Sequence, residues 1–440
     1  MLEQQGAQHR QTAAQRPPVN MRPDLMAAAS RKKSSISSLV LQIVNNVAGA
    51  GILTLSAGMA AGVGSVPASI LCLVLGALSG VTFYLIGSAC ELTGEKSFKG
   101  LWAQTLGVSS AWLVDLSIAL MCLSAAIIYA GILGDTSTQL LRLCGLPAGL
   151  NRRSVNILLL TLSALTPLSL LDDVSKLAFT SALGCAAVFY TAVFIFCRAL
   201  DGSYALGAGQ FLSALPENLT PAFSRASRWK LDAKSLILVS NLGLAYIAHY
   251  NAPTFYRSLE DRTTERFGYV CAYAFGILSI LYLGIMLMGH KTFGDVTAGN
   301  ILINYAERDP LAVLGRVATF ASILFGFPLA MLGLKDSLIS LLDLPRSVVK
   351  PTTLGLLAFI STIAVLVKDI GLVVGISGAL LGASIVYIFP ALIYRAACTQ
   401  SKSKADLAKG GRIPPLEMLC FLLVPLGAFL GVLGVYMTVA

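Results

Sequence analysis

The chain has 440 residues, with 32 Lys and Arg against 22 Asp and Glu and a formal net charge of +10, yet only 12% of its residues are charged. A soluble domain carries about a quarter charged residues, so a soluble globular fold is excluded. The basic excess sits mostly in tails and short loops, where Lys and Arg orient a membrane protein, and no nucleic-acid partner is expected.

Residues 1–33 are rich in Gln, Ala, Arg and Pro and contain no apolar core, so they are not a secretory signal peptide. Arg10, Arg16 and Arg22 with few acids bear a faint likeness to an organelle transit peptide, but the composition reads as a solvated, disordered cytosolic tail. From Lys33 to Glu91 there is then no charged residue, and the runs 116–134, 177–197, 267–288, 371–394 and 418–440 are equally free of charge. A bilayer core of about 30 Å takes roughly 20 apolar residues per helix. Backbone in lipid must satisfy itself, so such runs are helices, and their weak alternation excludes a barrel. The pattern predicts an all-α membrane protein of eleven spans, at about 36–61, 66–89, 112–134, 154–171, 175–197, 235–252, 267–288, 311–334, 351–367, 371–394 and 416–439. Loop charges place the N-terminus in the cytosol and, with an odd span count, the C-terminus outside or in a lumen. Against that rule, one outer loop holds Arg225, Arg228, Lys230 and Lys234. Most of the nine cysteines fall in or beside apolar runs and behave as small hydrophobes. Cys144 and Cys197 fall on one side of the membrane, so a single disulfide is permitted but not required.

The first span reads Asn45-Asn46-Val47-Ala48-Gly49-Ala50-Gly51 at its middle. Adjacent asparagines are costly in lipid unless they face protein or a cavity, and two glycines weaken the helix. A break there exposes amides at one half-helix end and carbonyls at the other, suited to a carboxylate and a cation respectively. The same residues also suit a small-residue face for tight helix packing. The sixth span repeats the theme, ending Ala248-His249-Tyr250-Asn251-Ala252-Pro253, with proline as a breaker. Interruptions at corresponding places of two five-span halves point to a transporter site at the membrane midplane.

The candidate substrate-binding residues are Asn45, Asn46, Gly49, Ala50, Gly51, Tyr129, His249 and Asn251. His249 has two readings: a proton-exchanging group, or a satisfied buried imidazole. Tyr129 offers a hydroxyl as a third wall, or simply packs near an interface. Thr319 and Ser322, with Asn45, are the candidate cation ligands, although hydroxyls in membrane helices commonly bond their own backbone. Nucleotide-binding loops, paired Cys-x-x-Cys and His-Glu-x-x-His helices are missing, which excludes an ATP-driven pump in one chain and gives no sign of an enzyme.

The segment Asn45-x-x-x-Gly49-x-Gly51-Ile52-Leu53 resembles the first-helix signature of the amino acid/auxin permease family, above all its neutral amino acid transporters of system A and N type and their vacuolar relatives. Pro167-Leu168-Ser169-Leu170-Leu171 with Lys176-Leu177, Ala248–Leu259, Phe293-Gly294-Asp295 and Asp309-Pro310-Leu311 resemble further segments of that family in the same order. The resemblance implies an inverted-repeat fold of five plus five helices with the first and sixth broken, over residues 34–440. It also implies cation-coupled transport, with substrate and cation meeting at Asn45 and the Gly49–Gly51 break. Sodium-coupled members place a hydroxyl shortly before the proline of span eight, where this chain has Leu324-Phe325-Gly326-Phe327-Pro328, so proton and sodium both stand as the coupling ion. The expected activity is therefore secondary active transport of small neutral amino acids in a plasma, vacuolar or lysosomal membrane. No cofactor beyond the coupling ion is expected, and the oligomeric state is open, with a monomer compatible. The alternative is an amino-acid-sensing receptor or scaffold without turnover, its partner docking on the serine-bearing tail.

Overall fold

The computed structural model describes residues 33–147, 151–171, 180–225, 227–401 and 415–439. The tail expectation for residues 1–32 and the Lys176-Leu177 segment lie outside them.

All named elements are helical. The first apolar run forms α1 (Ile36–Val47), started by Ser35, whose side chain accepts from the Ser38 amide. A 3-10 turn, Ala50–Thr54, then leads into α2 (Leu55–Ala60). Next come α3 (Ser65–Thr93), the short α4 (Phe98–Leu106) and α5 (Trp112–Leu143). α6 (Arg153–Leu160) runs through a π-turn, Thr161–Leu165, into α7 (Thr166–Ser169), and α8 spans Thr180–Leu200. α9 (Ser235–Ala245) and α10 (Ala252–Ser258) flank the 3-10 turn His249–Asn251. α11 (Thr264–Phe293), α12 (Pro310–Leu342) and α13 (Val349–Leu366) follow. α14 (Ile370–Ser377) continues through a long π-helical stretch, Gly378–Ile388, into α15 (Phe389–Ser401), and α16 (Pro415–Val439) closes the described chain.

Among the described residues, eight helices are long and apolar enough to cross a membrane, and nine if the bent pair at the first break is one span. α5, α11, α12 and the run α14–α15 overrun the third, seventh, eighth and tenth predicted spans, because residues at their ends are polar but still helical. The largest departure is at Pro253. It was expected to end the sixth span, yet it sits in the first turn of α10, and helix continues to Ser258. A first-turn proline sacrifices no hydrogen bond, since the amide there has no intrahelical acceptor.

Small residues set the packing, as expected where lipid supplies no drive for helices to associate. A side chain at Gly76 would strike the Ser279 hydroxyl, and one at Gly80 would press on Phe275, so α3 and α11 lie close. On the other side of the break, Gly243 of α9 meets the backbone of Gly378 and Gly382 in the π-helical stretch. Connections pair in two sets. Gly64 donates to Lys230 O (2.8 Å), Asp295 N to Ala222 O (2.6 Å), and Arg142 reaches Glu307 (2.8 Å). In the second set Ser34 N donates to Ser258 O (2.7 Å), Lys99 reaches Asp115 and Ser340 (both 2.6 Å), and Gln400 reaches Thr105 O (3.2 Å). Cys144 and Cys197 are exposed free thiols.

Candidate functional site

α1 stops where the sequence turns polar and glycine-rich. Ala48 (φ −73°, ψ 73°) and Gly49 (φ −100°, ψ −161°) leave helical space, and the Gly49 amide folds back onto Val47 O at 2.8 Å. The chain resumes at the 3-10 turn, pinned by the Thr54 hydroxyl on Gly51 O (2.8 Å), and the two halves are bent by 56°. α9 stops in the same way: Ala248 (φ −155°, ψ 11°) breaks the helix before the His249–Asn251 turn.

The two interruptions meet. Asn251 Nδ2 donates to Asn46 Oδ1 at 3.2 Å. A side-chain carbon at Gly51 would stand 3.2 Å from the Ala245 Cα, so Gly51 lets the two backbones touch. Buried Asn241 donates to Thr54 O at 3.1 Å, one turn further along. Tyr282 of α11, wholly buried, aims its hydroxyl at both helix ends, 3.2 Å from Val47 O and 2.8 Å from Ala245 O.

Other predicted residues fall around this junction in three groups. The Tyr129 hydroxyl lies 3.8 Å from where a Gly49 side chain would begin, while its ring faces Gly326 near Pro328 of α12. Asn45 Oδ1 and Ser322 Oγ both flank Gly184 of α8, 3.7 and 3.3 Å from its would-be Cβ. Buried Thr319, one turn from Ser322, has its hydroxyl 3.5 Å from that of Thr191. Ala50 opens the 3-10 turn. His249 goes elsewhere. It is fully buried against α3, its Nε2 2.9 Å from Thr82 Oγ1 and 3.1 Å from Ser79 O, with Phe83 edge-on at 5.5 Å. Thr82 spends its own proton on backbone carbonyls of α3, so both partners of Nε2 accept and the ring proton resides there.

Sequence reasoning did not find Tyr282, Gly184 or Thr82. Tyr282 did leave a signal, a hydroxyl at the centre of an apolar 30-residue helix; Gly184 is one of 40 glycines and left none. What converges on the junction is backbone, asparagine amides and hydroxyls. Such a set binds through hydrogen bonds and helix-end dipoles. Among the described residues, no three His, Cys, Asp or Glu side chains cluster to hold a metal.

Fold and site together define an all-helical membrane protein built around two interrupted helices. The chain belongs to the transmembrane amino acid transporter protein family, whose model matches residues 32–439. It is similar to the putative sodium-coupled neutral amino acid transporter 11 of Danio rerio, with 26% identity over 92% of this chain and 86% of that one. Amino acid transporter AVT6E of Arabidopsis thaliana is 26% identical over 87% of this chain and 80% of its own length. Vacuolar amino acid transporter 6 of Saccharomyces cerevisiae is 26% identical over 67% and 64%. Among solved structures, the inward facing conformation of Mhp1 shares the fold, with a TM-score of 0.63 and 12% identity over 92% of this chain and 91% of that one. The three sequence relatives are amino acid transporters and not enzymes, and amino acid transport is the activity of the family.

Proposed function

We propose that this chain moves small neutral amino acids by cation-coupled alternating access, with the substrate held where the two interruptions meet. The observation that carries the reading is the direct contact between them, through Asn46–Asn251 and through Gly51 against Ala245. The Gly49 amide is taken by Val47 O, so the substrate carboxylate is read at the amides that follow it, Ala50 and Gly51, and its ammonium at carbonyls near Asn45 and the 249–252 turn. The lack of a charged side chain at the junction, among the described residues, favours substrates with neutral side chains. Asn45, Ser322 and Thr319 are the proposed route for the coupling ion, proton or sodium.

The pairing of connections supports eleven crossings in a five-plus-five arrangement. Contacts join the links after spans one, three, five and seven to one another. The N-terminus contacts the link after span six, where Tyr256 bonds Glu91 at the end of span two, and the link after span two reaches the ends of spans eight and ten. That parity is kept only if α6–α7 and the pair α9–α10 each cross the membrane. The bundle of spans one, two, six and seven would then rock against the rest, with the N-terminus cytosolic. Plasma and vacuolar or lysosomal membranes both suit such a chain.

Uptake of radiolabelled alanine or glutamine into proteoliposomes tests the reading. Saturable, gradient-driven uptake that is lost in Gly49→Leu supports it. Unchanged uptake in that variant sinks the site, and binding without flux would make the chain a sensor.

A further inference from the structure

One loop resists the charge rule that orients the rest of the protein. Residues 225–234 hold Arg225, Arg228, Lys230 and Lys234 against a single acid, Asp232. α3 has no side-chain cap at its start, and the first amides of a helix have no intrahelical acceptor. Here the loop supplies them: Gly64 N donates to Lys230 O (2.8 Å), Ser65 N to Ser227 O (3.0 Å) and Val66 N to Arg228 O (3.1 Å). Gly64 permits this, since a side-chain carbon there would strike the Lys230 backbone nitrogen. The same segment runs directly into Ser235, the first residue of α9. It is therefore fixed across the starts of two membrane helices, at the boundary between bilayer and water.

The side chains of residues 227–234 are exposed, with that of Lys230 running past Gly62. Trp229 is 71% exposed and Leu231 67% exposed, while Arg228, Lys230 and Lys234 are all exposed. Among the described residues, Lys230 reaches Asp232 at 3.6 Å, an exposed pair worth little, and neither Arg228 nor Lys234 has an acid within ion-pair distance. Tryptophan at a membrane boundary settles in the headgroup layer, and basic residues there are drawn to anionic lipid. Apolar and cationic side chains on one strip suit a lipid surface better than a soluble polyanion, which would leave the indole in water.

We propose that residues 227–234 dock on anionic phospholipid headgroups of the leaflet on the side where α3 and α9 begin. Trp229 and Leu231 enter the interface, and Arg228, Lys230 and Lys234 take the phosphates. This rests on the membrane placement of α3 and α9 and not on the transport reading.

The test is lipid retention by the purified full chain in detergent, comparing phosphatidylglycerol with phosphatidylcholine. Three exposed basic residues predict a preference of up to about a hundredfold for the anionic lipid. The triple variant Arg228→Gln, Lys230→Gln, Lys234→Gln keeps the backbone caps, and should lower that preference at least about tenfold. Trp229→Ala should weaken both lipids alike. A preference that survives in the triple variant overturns the proposal. So does inorganic phosphate displacing the lipid completely, which would make this a free-anion site.

Discussion

The hydroxyl of Tyr282 stands 2.8 Å from the carbonyl oxygen of Ala245, the last residue of α9, and 3.2 Å from that of Val47, the last of α1. Both carbonyls belong to helix ends that have lost their intrahelical partners, and one proton serves two acceptors. The fully buried ring holds that proton in place from a third helix, α11.

Tyr282→Phe keeps the ring and removes the proton. The buried Ala245 carbonyl is then left short of a donor, at a cost of about 1–3 kcal/mol, while Val47 O keeps the Gly49 amide. The expected outcome is a lower unfolding midpoint and uptake reduced about tenfold at equal protein level, since 1.4 kcal/mol is a factor of ten. Wild-type uptake in this variant would show that the hydroxyl does not hold the junction together.

The two glycines of the first break separate under substitution. At Gly51 the first side-chain carbon would press on the Ala245 backbone at 3.2 Å, whereas at Gly49 the nearest contact is an ordinary 3.8 Å to the Tyr129 hydroxyl. Gly51→Leu should therefore lower thermal stability and uptake together. Gly49→Leu should abolish uptake while the unfolding midpoint stays within a few degrees. Equal loss of stability in both would remove the distinction between a packing glycine and a site glycine.

This division was not legible in the sequence, where Gly49 and Gly51 look alike. Hydropathy gave the membrane class and most helix positions, because a charge-free run has few other solutions. Polar residues and glycines inside such runs marked both breaks, since their cost demands a reason. What the sequence could not give is direction around each helix. Asn46 and Asn251 turn toward each other, but His249, two residues before Asn251, turns to Thr82 and away from that pair. Nor does a linear reading show that Pro253 begins a half-helix, because a breaker ends or starts a helix with equal ease.

On the side where α3 begins, Asp295 gives a pH prediction. Partial burial by itself would raise the carboxyl pKa. The Ser224 hydroxyl (2.7 Å), the Arg225 amide (2.8 Å) and the Arg225 charge outweigh it and hold the pKa below the ordinary aspartate value. A depressed folded-state pKa contributes stability above the unfolded value of about 3.9 and loses it as pH falls through the folded one. The gap in unfolding midpoint between wild type and Asp295→Asn should thus be present at about pH 5 and above and narrow progressively as the pH falls below about 4. A gap that does not narrow at all as the pH falls below about 4 would mean the bonds at Asp295 do not depend on its charge.

Gly184 offers the sharpest handle on the coupling ion. It is the bare point of α8 between Asn45 Oδ1 and Ser322 Oγ, and a methyl group there would stand 3.7 and 3.3 Å from them. Alanine is a better helix residue than glycine by up to about 1 kcal/mol, and the second contact requires only a small adjustment of the serine. Gly184→Ala should therefore fold at least as well as wild type. If the two oxygens carry the coupling ion, the methyl group obstructs them. Half-maximal activation of uptake should then need at least about ten times more of that ion, a shift of about 1.4 kcal/mol. Replacing sodium by choline, and separately collapsing the pH gradient, identifies which ion it is. An activation curve unmoved by Gly184→Ala for either ion would remove Asn45 and Ser322 from the coupling route.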